Sequence, residues 1–180
     1  MELERKFCGP EGGLEVRDGT EISGHASLFG AADQGGDVVE PGAYAASLAA
    51  LAARGGRVKM LWQHDPAQPI GVWDEVREDA RGLFVRGRIL TDVARGREAA
   101  ALLAAGAIDG LSIGYRTRRA VKDAGGGRRL AEVELWEVSL VTFPMLPEAR
   151  VARKAEAGGG EALAGLAAAL RAAGRELARG

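Results

Sequence analysis

Leu130-Ala131-Glu132-Val133-Glu134-Leu135-Trp136-Glu137-Val138-Ser139-Leu140-Val141-Thr142-Phe143-Pro144 takes in all but the first residue of a long strand-like run, Arg129 to Thr142. Period-two alternation places Val133, Leu135, Glu137, Ser139, Val141 and Phe143 on one face, with Glu132 and Glu134 on the other. The glycine-rich turn Asp123-Ala124-Gly125-Gly126-Gly127 precedes the run, and before it stands a second strand-like segment, Leu111 to Arg118. Further toward the N-terminus come Leu14 to Arg17, Thr20 to Phe29, Arg57 to Trp62, Ile70 to Val76 and Gly82 to Leu90. Most are rich in β-branched or aromatic residues and bounded by turns such as Asp79-Ala80-Arg81-Gly82. Two segments differ. Pro41 to Arg54 opens with a proline suited to a first helical turn and continues in alanine and leucine, and Val93 to Ala105 ends at Gly106. Both are predicted helices. Strands joined largely by hairpin-length turns predict a mainly β chain with flanking helices (α+β), built as an antiparallel sheet or closed barrel rather than a βαβ series.

A length of 180 residues suits one compact domain. The composition changes near Arg150, so residues 1–150 are expected to form that domain and residues 151–180 an Ala/Gly-rich tail. Gly158-Gly159-Gly160 reads as a linker, and Leu163, Leu166, Leu170 and Leu177 predict a short helix within Glu161 to Arg179. A net charge of −1 gives no general attraction to nucleic acid or to anionic membranes. No apolar run is long enough to span a bilayer, and the N-terminus does not read as a signal, so a cytoplasmic product is expected. Cys8 is the single cysteine and His25 and His64 are the two histidines, which leaves no Cys/His zinc set; no metal or cofactor is expected.

Three segments could carry chemistry. In Met60-Leu61-Trp62-Gln63-His64-Asp65-Pro66 a histidine stands where an apolar strand gives way to an Asp-Pro turn, which suits either a base or an ordinary surface histidine. In Asp109-Gly110-Leu111-Ser112-Ile113-Gly114-Tyr115 the serine has glycine two residues away on each side, sparing bulk around a nucleophile and a developing oxyanion. Small residues in a tight strand explain the same pattern. It also matches the Gly-x-Ser-x-Gly elbow of α/β-hydrolases, but those enzymes place the histidine after the serine and a helix after the elbow. Here no histidine follows His64, and a strand follows Ser112. In the third segment, Glu137 is a carboxylate in a mostly apolar row: either it is buried and needs a partner, a histidine or an arginine, or the row is exposed at that point.

These segments belong to a longer series: Gly24-His25-Ala26-Ser27-Leu28-Phe29, Glu40-Pro41-Gly42-Ala43-Tyr44, Leu61-Trp62-Gln63-His64-Asp65 with Pro69-Ile70-Gly71, Gly110 to Tyr115, and Glu137 to Pro144. In this order and spacing, from about Gly24 to Pro147, the chain resembles the maturation proteases of tailed-phage proheads, whose fold is similar to that of the herpesvirus capsid assembly protease. The resemblance implies an assemblin-like antiparallel β-barrel, with His64 as general base, Ser112 as nucleophile and Glu137 as third member of the triad. The herpesvirus relatives place a second histidine in that third role. His25 stands where the family commonly has an aromatic residue and is expected to be structural.

The same resemblance implies a serine endopeptidase without cofactor, with oxyanion donors on the loop around Pro147 to Arg150. Its expected substrates are the scaffold segment of the major capsid protein, other interior prohead proteins, and the chain itself, cut near the glycine-rich junction. It also points to the portal and a second copy of the chain as partners, with neither nucleic acid nor membrane, and to action inside assembling proheads in the bacterial host cytoplasm. Two other readings stand beside it: a non-catalytic capsid-assembly scaffold with a docking tail, which would not need all three of His64, Ser112 and Glu137, and a small-molecule esterase, which would use the same residues in a closed apolar pocket.

Overall fold

The computed structural model describes residues 4–7, 15–33, 35–123 and 126–142. The expected tail helix, the junction at Arg150 and the Pro147 to Arg150 loop lie outside these residues. Among the described residues, nine strands and two helices follow one another as β1 (Glu4–Phe7), β2 (Glu15–Arg17), β3 (Glu21–Leu28), β4 (Val38–Val39), α1 (Ala45–Ala53), β5 (Lys59–Trp62), β6 (Asp65–Glu78), β7 (Gly82–Ile89), α2 (Ala94–Ala104), β8 (Gly110–Lys122) and β9 (Arg128–Val141). The mainly β class with flanking helices is thus as expected. β1 and β4 are too short to stand out as periodic runs.

The strands form one sheet in the order β1-β8-β9-β5-β6-β7-β3-β2, with β4 added against β9. Consecutive strands β5 to β7 form antiparallel hairpins, as do β8 and β9. Two pairings are parallel: β5 with β9, and β4 with β9. β3 also packs against β8 and β1, although β9, β5, β6 and β7 intervene along the sheet, so the sheet curls toward a barrel. Ile22, Ile70, Leu83, Ile113, Leu130 and Leu140 are fully buried on its concave side and bind the strands into one core.

Both helices end as their glycines dictate. Gly55 takes φ 66°, its N–H donates to Ala52 O at 3.0 Å, and Gly56 N–H donates to Leu51 O at 2.8 Å, which is the Schellman arrangement. Gly106 repeats it at the end of α2, with φ 71° and bonds from Gly106 and Ala107 to Leu103 and Leu102. α1 begins at Ala45 rather than at Pro41 because Gly42, at φ 88°, turns the chain out of a helical path. α2 buries Gly96, Ala99, Ala100 and Leu103, one face at helical spacing, toward β6 and β7.

His25 has the structural place expected of it. Its Nε2 meets Asp79 Oδ2 at 2.8 Å, and its ring packs edge-on against Phe84. Asp79 also accepts the N–H groups of Arg81 and Gly82, closing the β6–β7 turn. Burial works to raise the Asp79 carboxyl, but the Arg81 N–H, the His25 ring and the Gly82 N–H outweigh it and bring the pKa to about 2, from 3.8. A depressed carboxyl contributes stability that is fully present above its unfolded value and is lost as pH falls from about 4 through about 2. Because the carboxylate is partly solvated and its interactions are screened, the contribution is on the order of 1 kcal/mol. Asp79→Asn is therefore expected to lower the urea midpoint at pH 7, with the gap from wild type closing as the pH approaches 2.

Candidate active site

The β5–β6 hairpin turns within Gln63 and His64 themselves. Trp62 pairs with Asp65, and the two residues between them take φ of 52° and 62°. Positive φ at both central positions is the two-residue hairpin geometry that matches strand twist, normally filled by glycine or asparagine. The expected Asp-Pro turn is thereby corrected: Asp65 and Pro66 already belong to β6. A residue before proline is pushed to extended backbone, so Asp65 cannot make the bend and the reversal falls one step earlier. Left-handed backbone at two residues with side chains costs about 1–3 kcal/mol each and persists only under restraint. The restraint comes from β9. Gln63 N–H donates to Leu140 O at 2.9 Å, its side-chain amide reaches Thr142 Oγ1 at 2.5 Å, and His64 N–H donates to Ser139 Oγ at 3.2 Å.

β9 does not keep one alternation along its length. Across the β8–β9 ladder Thr117 faces Val133 and Tyr115 faces Leu135, but Gly114 faces Glu137, so Trp136 is an extra residue on β9. This is a β-bulge, and it exchanges the faces. Val133 and Leu135 point into the core, after which Val138 and Leu140 take over, opposite Ile113 and Leu111. The expected single row is corrected accordingly: Glu137 and Ser139 leave the face of Leu135 and share the other one with Gly114 and Ser112. Phe143 lies outside the described residues. At the bulge, Leu135 N–H turns to Ser47 Oγ of α1 at 2.9 Å, which holds the irregularity in place.

On that face His64 and Glu137 are joined directly, and Ser112 stands on the neighbouring strand. His64 Nδ1 donates to Glu137 Oε1 at 2.5 Å, across 73 positions of chain, with both side chains only 6% exposed. The partner that Glu137 requires is thus the histidine. Ser112, fully buried, stands directly across the ladder from Ser139 and, on its other side, pairs in the backbone with Phe7 of β1. Because β5 runs beside β9 in parallel, with Leu61 opposite Ser139, the turn that carries His64 emerges next to the strand that faces Ser112. With Nδ1 bonded to the carboxylate, the neutral ring has its lone pair on Nε2, the tautomer suited to accepting a proton from a hydroxyl.

Of the other residues here, Ser139 carried no recognised role in the sequence and Gly114 carried a different one. Ser139 Oγ donates to Glu137 Oε2 at 2.5 Å while accepting His64 N–H; its only signal was the spacing of two from Glu137 on a strand. Gly114 matters for a reason different from clearance around a nucleophile. A Cβ built there would stand 2.1 Å from Glu137 Oε1, so the carboxylate occupies the space that a side chain would fill. Gly114→Ala is expected to destabilise the fold by about 1–3 kcal/mol through overpacking, seen as a lowered melting temperature.

The mostly β fold is that of a known solved structure. The bacteriophage T4 capsid assembly protease aligns with a TM-score of 0.62 at 16% identity, over 79% of this chain and 98% of that one. A family model described as caudovirus prohead serine protease matches residues 13–160, and the chain belongs to that family. Among curated relatives, the prohead protease of Enterobacteria phage HK97 is 32% identical over 159 residues, covering 84% of this chain. The chain spans 64% of the length of that relative.

Proposed function

We propose that the chain is a serine endopeptidase of capsid maturation, with Ser112 as nucleophile, His64 as general base and Glu137 as the carboxylate that orients the base. The observation that carries this reading is the buried His64–Glu137 contact beside the strand that bears Ser112. In the first half-reaction Ser112 Oγ attacks a peptide carbonyl while His64 Nε2 takes its proton; the resulting imidazolium, held by Glu137, protonates the departing amine. In the second, water attacks the acyl-enzyme, His64 takes a proton from it, and the acid product leaves as that proton returns to Ser112.

The relatives named for proheads and capsid assembly support substrates in the same setting: the scaffold segment of the major capsid protein, other interior prohead proteins, and the chain's own junction past Arg150. The portal and a second copy of the chain are further partners under this reading, and the assembling prohead is its place of action. Residues 1–150 would be the protease domain, and 151–180 a tail that self-cleavage removes. Among the described residues, no helix is long and apolar enough to cross a membrane.

The test is co-expression of wild type and of Ser112→Ala with the major capsid protein of the same locus, followed by intact mass analysis of both partners. Shortening of the capsid protein by wild type alone supports the protease. Binding without cleavage by either form would replace it with the non-catalytic scaffold.

A further inference from the structure

Two buried serines face each other across the β8–β9 ladder, and their surroundings give them different work. The Ser139 hydroxyl hydrogen is committed to Glu137 Oε2 at 2.5 Å, and its oxygen receives His64 N–H at 3.2 Å. One atom therefore joins the backbone that carries the histidine to the carboxylate that grips its ring. Glu137 has little other freedom, because one oxygen meets His64 Nδ1 and the Gly114 backbone leaves space for it on the β8 side. His64 sits on left-handed backbone that would relax without an anchor. We infer that Ser139 is a positioning residue that sets both the turn and the tautomer of His64. The inference rests on the proposed role of His64 as the base, and Ser139 itself never touches substrate.

The experiment follows His64 by two independent readouts. The first is covalent labelling of Ser112 by a fluorophosphonate, in which the serine oxygen displaces fluoride at phosphorus, resolved into a maximal rate and a half-saturating probe concentration. The second is the exchangeable Nδ1 proton of His64 in ¹H–¹⁵N spectra. The chain has only two histidines, so a His64→Ala sample assigns the signal and His25 serves as an internal reference. Ser139→Ala is expected to lower the maximal labelling rate roughly tenfold to a hundredfold, the scale on which orienting partners act, with the half-saturating concentration unchanged. The His64 proton signal should disappear into solvent exchange while that of His25 stays.

Ser139→Thr and Ser139→Val match each other in shape and differ in the hydroxyl, so they decide the matter even if the alanine variant folds poorly. Thr should restore labelling and the His64 signal, and Val should not. Equal behaviour of Thr and Val, or a wild-type His64 signal and labelling rate in Ser139→Ala, overturns the inference. If wild type is not labelled at Ser112, the nucleophile assignment fails by itself, and the His64 signal alone settles the role of Ser139.

Discussion

Ser112→Ala should reduce capsid-protein cleavage by about a millionfold, because loss of a serine nucleophile costs nearly as much as loss of an entire triad. What remains is substrate binding and electrostatic stabilisation, which accelerate the reaction over water by roughly a thousandfold or more without covalent chemistry. The fold should survive. Ser112 is held in the sheet by backbone pairing to Phe7 and Ser139, which alanine retains, and removal of one oxygen adds no bulk to a fully buried position. Quenched-flow cleavage of the purified capsid substrate, with melting curves for both proteins, separates the two effects. If His64 is the base for Ser112, the His64→Ala/Ser112→Ala double variant should be no slower than either single variant, since groups that act as one unit do not add. A double variant slower than both by the product of their losses would dissociate His64 from the reaction of Ser112.

Glu137→Gln should cost about a thousandfold to ten-thousandfold in cleavage rate, the scale of an isosteric carboxylate-to-amide change behind a catalytic histidine. Shape is kept and charge is lost. In the wild type one oxygen accepts His64 Nδ1–H and the other accepts the Ser139 hydroxyl. A glutamine has only one oxygen. If its NH₂ faces His64, the ring must accept at Nδ1 and carry its proton on Nε2, where it can no longer act as a base. If the NH₂ faces Ser139, the tautomer survives but the negative charge that stabilises the imidazolium is gone. Cleavage assays paired with circular-dichroism melts check this, and a variant that cleaves within a few fold of wild type would remove Glu137 from the triad.

The face on which Glu137 lies shows where sequence pattern stopped being sufficient. Alternation from Val133 through Val141 assigns one row because each side chain is judged only against its neighbours in the chain. The extra residue at Trp136 is visible only against β8, where Tyr115 and Gly114 are adjacent but their partners Leu135 and Glu137 are not. Gly114 is a similar case. Its sequence pattern suggested clearance around a nucleophile, whereas the space it leaves is filled by a carboxylate from another strand. The turn at Gln63-His64 was masked for a different reason: neither residue is a usual left-handed former, and the strain is borne by contacts to Leu140, Ser139 and Thr142 that no local motif encodes.

By itself the sequence determined the class of the molecule, the approximate places of its longer strands and both helices, the glycine stop of the second helix, and the candidate set His64, Ser112 and Glu137. These follow from period, propensity and the series of motifs, all of which act within a few residues. The tertiary structure decided the parallel pairing of β5 with β9, the exchange of faces at Trp136, and the bonds that gather His64, Glu137 and Ser139 at one point. Those are choices among distant pairings, and burial of the whole curled sheet selects among them, because a strand's own alternation is satisfied equally well beside many partners.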